Sequence, residues 1–278
     1  MPNRTPRDLG LSDLVMSHFT LPRMFPIDER IAIAAAAGFS GIGLYLNQYE
    51  QLEATGQAPG RVRELLDEHN MVLAEIEVVR GWAQSGEPYD RCRAMEEVAW
   101  RMADEFDCRY LQAIGPYDGT LDDAGKAFAT LCDRAADHGL VVGIEFLPFT
   151  NIVTATDAMA IVERAGRDNG GVCVDIWHHE RGARDLDLIR AIPGERVMAI
   201  QMNDGPILAT LPDYIQDCLQ YRVPPGSGEF DVASMVSVLQ ELGVTVPWSL
   251  EVCNEVAGTT DPTGHARRCA EGMRSFLA

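Results

Sequence analysis

The segment that decides the fold is RAADHGLVVGIEFL, residues 134–147. Its first residues have the composition of a last helical turn, and Gly139 supplies the left-handed cap that ends a helix. The run of Val, Ile and Leu that follows is typical of a buried strand. Residues 34–46 (AAAAGFSGIGLYL) and 239–252 (LQELGVTVPWSLEV) repeat this order. A helix that leads through a short loop into a buried strand is typical of a parallel α/β protein.

Over the whole sequence, eight apolar runs predict strands and eight amphipathic segments predict helices. The predicted strands are Val15–Leu21, Gly41–Leu46, Val72–Val79, Tyr110–Gly115, Val141–Leu147, Gly171–Trp177, Val197–Asn203 and Trp248–Cys253. The predicted helices are Asp28–Ala37, Arg61–His69, Tyr89–Phe106, Leu121–His138, Ala155–Ala165, Leu186–Ile192, Val232–Leu242 and Pro262–Phe276. Eight alternating units with right-handed crossovers predict a single (β/α)8 barrel domain over residues 1–278.

An open, doubly wound sheet is the alternative architecture. Such a sheet normally carries a GxGxxG fingerprint after its first strand, and residues 18–26 (HFTLPRMFP) lack it. The sequence also contains no GxxxxGK[ST] phosphate loop. In a barrel, the long connection Gly205–Glu229 is a candidate lid or substrate wall, because connections of this length are uncommon unless they are functional.

Composition excludes several classes of function. Acidic residues outnumber Lys and Arg by 42 to 23, which gives a formal charge of −19 and disfavours nucleic acid and anionic membrane surfaces. The only lysine, Lys126, lies in a predicted outer helix, which argues against Schiff-base chemistry. No apolar run is long enough for a membrane span, and residues 1–10 have no secretory apolar core. We expect a cytoplasmic protein that acts on a small molecule and is compatible with a homo-oligomer.

Four polar residues each stand directly after an apolar run in the last four predicted strands: Glu145, Asp175, Gln201 and Glu251. In a barrel these positions meet at the C-terminal face, where active sites lie. Three carboxylates and an amide oxygen form a hard ligand set for one divalent cation, with Mn2+ first and Mg2+ or Co2+ as alternatives. The competing interpretation is that each carboxylate meets an arginine or a backbone donor in the core. The seven cysteines include no CxxC pair, which argues against a cysteine zinc site.

Further candidates surround these positions. His178 follows Asp175 by three residues and is a natural proton carrier, because the usual pKa of histidine is near working pH. Arg181 and Arg222 can orient a substrate hydroxyl or carboxylate. Glu77, near the end of the third predicted strand, and Trp177, after the sixth, are candidates to line the pocket.

The chain resembles the xylose isomerase-like barrel proteins, often called sugar phosphate isomerases/epimerases. The segments that carry the resemblance are residues 144–152 (IEFLPFTNI), 174–179 (VDIWHH), 200–206 (IQMNDGP), 222–231 (RVPPGSGEFD) and 249–252 (SLEV). The resemblance spans essentially the whole barrel. The family includes ketose 3-epimerases, hydroxypyruvate isomerases and 3-dehydroshikimate dehydratases among its members. The resemblance implies one metal ion held by Glu145, Asp175, Gln201 and Glu251. Many ketose epimerases have histidine where this chain has Gln201, and the glutamine looks more like the dehydratase branch.

The resemblance implies an isomerase or epimerase that abstracts a proton α to a metal-chelated carbonyl of a polyhydroxy ketone, a keto-sugar or a related compound. Glu145 and Glu251 are then placed for proton transfer, or His178 acts as the base, as in the dehydratase-like members. A lyase that dehydrates a cyclic keto acid, or that cleaves a keto-glycoside by elimination, is the second hypothesis. A barrel that only binds a ligand is the third. The family also has a nuclease branch, whose members bind several zinc ions through many histidines. This chain has only six histidines, and that pattern is missing.

Overall fold

The structure is a computed structural model that describes residues 4–277. Eight parallel strands close into a barrel in chain order, with each strand paired to the next and the last paired to the first. The strands are β1 Leu14–Met16, β2 Gly41–Tyr45, β3 Val72–Arg80, β4 Tyr110–Ile114, β5 Val141–Glu145, β6 Gly170–Asp175, β7 Val197–Met202 and β8 Trp248–Leu250. The predicted (β/α)8 barrel is confirmed.

Twelve α-helices surround the barrel within the described residues. They are α1 Ile27–Ala36, α2 Leu46–Ala54, α3 Gly60–His69, α4 Glu87–Phe106, α5 Leu121–Ala136, α6 Ala155–Ala165, α7 Ile176–Arg181, α8 Leu186–Arg190, α9 Tyr214–Gln220, α10 Val232–Glu241, α11 Glu255–Thr260 and α12 Pro262–Leu277. Short 3-10 helices span Pro6–Asp8, His18–Thr20 and Gly194–Arg196. In the described part of the chain, no helix combines the length and apolar character that crossing a membrane requires.

Sequence reasoning found eight of these helices and missed α2, α7, α9 and α11. The missed helices are six to nine residues long, too short for a clear amphipathic period, and they lie in the loops that leave the C-terminal ends of strands. Several predicted strand ends were also wrong, and in the sixth strand the cause is a missed helix. The sixth predicted strand ran to Trp177, but Asp175 accepts a hydrogen bond from the Trp177 backbone and so begins α7.

The loop that leaves β1 is braced by buried side chains. Arg30 of α1 donates hydrogen bonds to the carbonyl oxygens of His18, at 2.5 Å, and Pro22, at 2.8 Å. The His18 ring Nε2 lies 2.7 Å from the carbonyl oxygen of Arg23. Because both His18 and Arg30 are fully buried, these contacts fix the loop over the barrel mouth.

The close approach of β6 to β7 depends on Gly171. A Cβ atom at this position would lie 2.2 Å from the carbonyl oxygen of Arg196 and 2.7 Å from Cγ of Met198. We expect Gly171→Ala to lower the free energy of unfolding by about 2 kcal/mol or more, because the backbone must shift to accept the methyl group. Chemical denaturation monitored by circular dichroism measures this.

The matched control is Gly60→Ala at the start of α3, where a Cβ atom would meet no atom within 4 Å. We expect that variant to unfold within about 0.5 kcal/mol of the wild type. Equal stability of the two variants would contradict the close packing of β6 on β7.

Candidate functional site

A cavity of about 680 Å³ opens at the C-terminal ends of the strands. Glu145, His178, Arg222 and Glu251 line it. One wall comes from the long connection after β7, whose helix α9 contributes three further lining residues: Ile215, Cys218 and Leu219. The connection Gly205–Glu229, a candidate lid or substrate wall, therefore contributes a wall of this cavity.

Asp175 ends β6 beneath this cavity and is fully buried. Its Oδ1 accepts hydrogen bonds from the Trp177 backbone N–H, at 2.8 Å, and from Asn203 Nδ2, at 2.9 Å. Its Oδ2 accepts a hydrogen bond from Arg222 Nη1 at 2.7 Å. Burial raises the pKa of Asp175, but Arg222, His178 and the hydrogen bonds outweigh burial and hold it below its usual value. Asp175 is therefore a carboxylate of fixed orientation.

His178 lies beside two of the carboxylates. Its Nε2 is 3.0 Å from Glu145 Oε1 and 3.5 Å from Asp175 Oδ2. On its other side, Nδ1 lies 2.7 Å from the hydroxyl of Tyr214, a residue of α9 that also stacks on the imidazole. The ligand atoms of Glu145, Asp175 and His178 all lie within 4.8 Å of one another. This spacing is suited to a shared metal ion or to proton transfer.

Gln201 is joined to Glu145 through Gln112 of β4. The Gln112 amide Nε2 lies 2.7 Å from Glu145 Oε2 and 3.4 Å from Gln201 Oε1. The Cys173 Sγ also lies 3.4 Å from Gln201 Oε1. A nitrogen–oxygen distance of 3.4 Å exceeds that of a good hydrogen bond, so the buried amide oxygen of Gln201 has only weak partners in the protein.

Glu251 is joined to Asp175 through Arg222, which is 1% exposed. Arg222 Nη1 donates to Glu251 Oε2 at 2.8 Å as well as to Asp175. Burial raises the pKa of Glu251 well above its usual value, Arg222 opposes the shift, and the neighbouring Glu145 and Asp175 add to it. The arginine partner foreseen by the competing interpretation is therefore present for two of the carboxylates.

One guanidinium does not balance the charge of this cluster. Glu145, Asp175 and Glu251 are all nearly or fully buried. Arg222 makes ion pairs with Asp175 and Glu251, whereas the partners of Glu145 in the described structure are His178 and Gln112. Burying like charges without full compensation is costly. When all three carboxylates are ionised, one guanidinium leaves two negative charges uncompensated. These charges and the amide oxygen of Gln201, which has only weak partners in the protein, fit a divalent cation.

Three residues predicted to bind substrate do not reach the cavity. Arg181 makes an ion pair with Asp217, at 3.2 Å, and its guanidinium carbon lies 4.3 Å from the centre of the Trp177 ring. Trp177 is fully buried behind the wall. Glu77 is also fully buried and is not part of the cavity surface. Of the four residues predicted to bind substrate, the structure brings Arg222 to the cavity.

Glu77 instead forms a buried pair with Glu75 inside the barrel. Its two oxygens accept hydrogen bonds from the His18 backbone, at 2.9 Å, and from Ser17 Oγ, at 3.0 Å. Glu75 accepts a hydrogen bond from Ser249 Oγ at 2.8 Å. Burial raises the pKa of Glu77 to about 7, while its hydrogen bonds oppose the shift. Burial and the charge of Glu77 raise the pKa of Glu75.

Sequence reasoning missed two residues that orient the cluster. Gln112 left a signal, because it is an amide in the middle of an otherwise apolar strand, YLQAI. Tyr214 left none, since it lies in a short helix of a long loop and reaches His178 only through the tertiary fold.

These features define a closed (β/α)8 barrel with a buried, oxygen-rich site at its C-terminal mouth. Residues 31–276 match the model of the xylose isomerase-like TIM barrel family, and the chain belongs to that family. The resemblance read from the sequence is therefore confirmed at the level of the family.

The relatives include more than one kind of enzyme. A 3-dehydroshikimate dehydratase of Pseudomonas putida is 28% identical over 263 residues, which are 90% of this chain and 39% of that protein. The chain thus spans about 39% of the length of that dehydratase. An inosose isomerase of Halalkalibacterium halodurans is 31% identical over 125 residues, 44% of this chain and 43% of that protein. The crystal structure of the IOLI protein with a zinc atom shares the fold, with a TM-score of 0.84 at 16% identity, and covers 95% of this chain and 98% of that one.

The buried glutamates give a testable pH dependence. The native state holds the proton of Glu77 up to about pH 7, whereas the unfolded state loses it near the ordinary value of 4.5. The wild type therefore loses stability as pH rises through this window. We expect the stability of Glu77→Gln relative to the wild type to increase between about pH 5 and about pH 8, measured by urea unfolding in the presence of a chelator.

The control is Glu64→Gln, which removes an exposed carboxylate. Its stability relative to the wild type should stay nearly constant over the same range. If the difference in free energy of unfolding between Glu77→Gln and the wild type does not change with pH, the raised pKa of Glu77 is contradicted.

Proposed function

We propose that the protein is a divalent-metal-dependent isomerase or epimerase that removes a proton α to the carbonyl group of a polyhydroxy ketone. The observation that carries the proposal is the cluster at the cavity floor, where ligand atoms of Glu145, Asp175 and His178 lie within 4.8 Å of one another. Glu251 and Arg222 border this cluster and face the same cavity. A buried base beside a cation site is the arrangement that α-proton removal needs, because the carbon acid is weak.

Glu145, Asp175, Gln201 and Glu251 would hold the cation, with Mn2+ as the first expectation and Mg2+ or Co2+ as alternatives. When bound, the ion supplies positive charge that stabilises the negative charge developing on the substrate oxygen as the proton leaves. The donor set supports this choice, since all four side chains offer oxygen atoms and each is buried.

His178 would act as the general base. If Nδ1 donates its proton to the Tyr214 hydroxyl, 2.7 Å away, then Nε2 carries the lone pair, with the donor Arg222 Nη2 3.3 Å away. Once Nε2 has taken a proton, it can donate to Glu145 Oε1 at 3.0 Å. Stacking on Tyr214 fixes the plane of the ring. In the epimerase variant of the mechanism, Glu145 and Glu251 transfer the protons on the two faces of the substrate carbon.

Dehydration is the second candidate function. Two 3-dehydroshikimate dehydratases, both from Pseudomonas species, align over 90% of this chain, whereas the inosose isomerases align over less than half of it. The first step is shared, because the base removes the α-proton. In isomerisation a proton returns to a neighbouring atom. In dehydration the electron pair forms a carbon–carbon double bond, and the β-hydroxyl leaves as water after it is protonated.

A substrate screen separates these functions. The Mn2+-loaded protein is incubated with ketohexoses and with 3-dehydroshikimate. A new sugar detected by chromatography supports isomerisation or epimerisation, whereas an ultraviolet-absorbing aromatic product supports dehydration. Turnover that persists after exhaustive removal of divalent metal would contradict both metal-dependent functions.

His178→Gln tests the base independently of the metal. We expect kcat to fall by about 100-fold or more, because a positioned general base contributes at least that factor, while metal content stays that of the wild type. Steady-state kinetics and metal analysis by mass spectrometry measure the two effects. His69→Gln, at a partly exposed position in α3, is the control and should change neither.

Two results would overturn this role. Wild-type turnover in His178→Gln would show that His178 is not the base. Loss of the metal from the same variant would make His178 a metal ligand.

A further inference from the structure

The arginines of this chain are almost all paired. The sequence contains 22 of them, against 42 acidic residues. In the described structure, 18 arginines have a carboxylate oxygen within ion-pair distance. Arg30 and Arg274 instead donate to backbone carbonyl oxygens. The two that remain are Arg23 and Arg80.

Exposure does not explain why these two lack a carboxylate. Arg91 and Arg267 have side chains that are 71% and 64% exposed, and both still pair with a glutamate on the same helix. In a chain with this excess of acid, an arginine without an anionic partner is the exception. Both exceptions line the same cavity, the one whose floor holds the carboxylate cluster.

Arg23 is held in place without a counter-ion. Its guanidinium carbon lies 6.0 Å from the centre of the Phe19 ring and 5.8 Å from that of Tyr45, within the range of a cation–π contact. Its backbone carbonyl is fixed by the buried ring of His18. The protein thus orders this side chain while leaving its hydrogen-bond donors free for a ligand.

Arg80 is the last residue of β3 and pairs in register with Ile114 of β4. The C-terminal end of a barrel strand is where substrate-binding residues stand. Val78 precedes it on the same strand and also lines the cavity, so the strand end faces the substrate space. Within the described residues, the Arg80 guanidinium has neither a hydrogen bond nor an ion pair.

We infer that Arg23 and Arg80 form an oxyanion subsite at the cavity mouth, so that the substrate carries a carboxylate or phosphate group in addition to the carbonyl group. This inference rests on the proposed function and narrows its substrate class from neutral ketoses to acidic ones. Guanidinium groups bind either anion by charge-assisted hydrogen bonds.

The charge distribution agrees with a subsite at the mouth. The floor carries three carboxylates, which repel an anionic group. The two unpaired arginines are exposed lining residues, whereas the carboxylates are buried, so the positive charge lies on the solvent side of the cavity and favours one orientation of an anionic substrate. In a protein of net charge −19, they also provide the local attraction that an anionic substrate needs to approach.

The test is calorimetric binding of three matched ketoses to the Mn2+-loaded protein: D-fructose, D-fructuronate and D-fructose 6-phosphate. The last two keep the ketone and add a carboxylate or a phosphate at the far end. We expect at least one of them to bind about tenfold more tightly than D-fructose, and the better of the two identifies the anion. Arg23→Gln and Arg80→Gln should each weaken binding of the anionic ketose about tenfold and leave the affinity for D-fructose unchanged.

Arg91→Gln is the control, because it removes the same charge from an exposed site outside the cavity. It should leave the affinity for all three ligands unchanged. The subsite is overturned if neither anionic ketose binds more tightly than D-fructose, or if Arg91→Gln weakens binding as much as the cavity variants.

Failure of the proposed function gives a different result. In that case the ketoses are not converted and metal removal does not alter their affinity, yet the dependence of anion binding on Arg23 and Arg80 remains.

Discussion

The constraint on which this structure depends is the burial of three carboxylates in one place. Glu145, Asp175 and Glu251 meet at the end of the barrel with one guanidinium, that of Arg222, between two of them. Such a cluster destabilises the folded chain unless more positive charge is supplied. Three buried acids at this point do not stabilise the fold, so their presence indicates a binding or catalytic site.

The barrel provides the precision that the site needs. Asp175 and Gln201 are register partners on adjacent strands, and Glu145 ends the strand that precedes them. Strand ends of this kind are held by the hydrogen bonds of the sheet, so the side chains are oriented before any ligand binds. Gln112 links Glu145 to Gln201 and Tyr214 holds His178, each from a different element. The loops supply much of the wall, and the cavity lining also includes Arg23, in the loop after β1, and Arg80, at the end of β3.

The sequence predicted the parts of the molecule that depend on local patterns. Runs of buried apolar residues separated by capped helices sufficed for the barrel. The polar residues that follow four such runs sufficed to locate Glu145, Asp175, Gln201 and Glu251 at or next to the C-terminal ends of the last four strands. The same reasoning was wrong where loops decide the outcome. Arg181 was expected in the pocket, but it pairs with Asp217 and stacks on Trp177 instead. Which loop arginine faces the cavity depends on contacts between distant segments, and no local pattern records them.

The proposed function requires one divalent cation among Glu145, Asp175, Gln201 and Glu251. Its most direct measurement is the metal content of the protein after incubation with Mn2+ and desalting, by mass spectrometry, for the wild type and for Asp175→Asn. We expect one ion per chain in the wild type and a large loss of metal in the variant, whose fold is checked by circular dichroism. A wild-type protein that retains no ion, or a variant that retains it fully, would rule out a cation site formed by these residues.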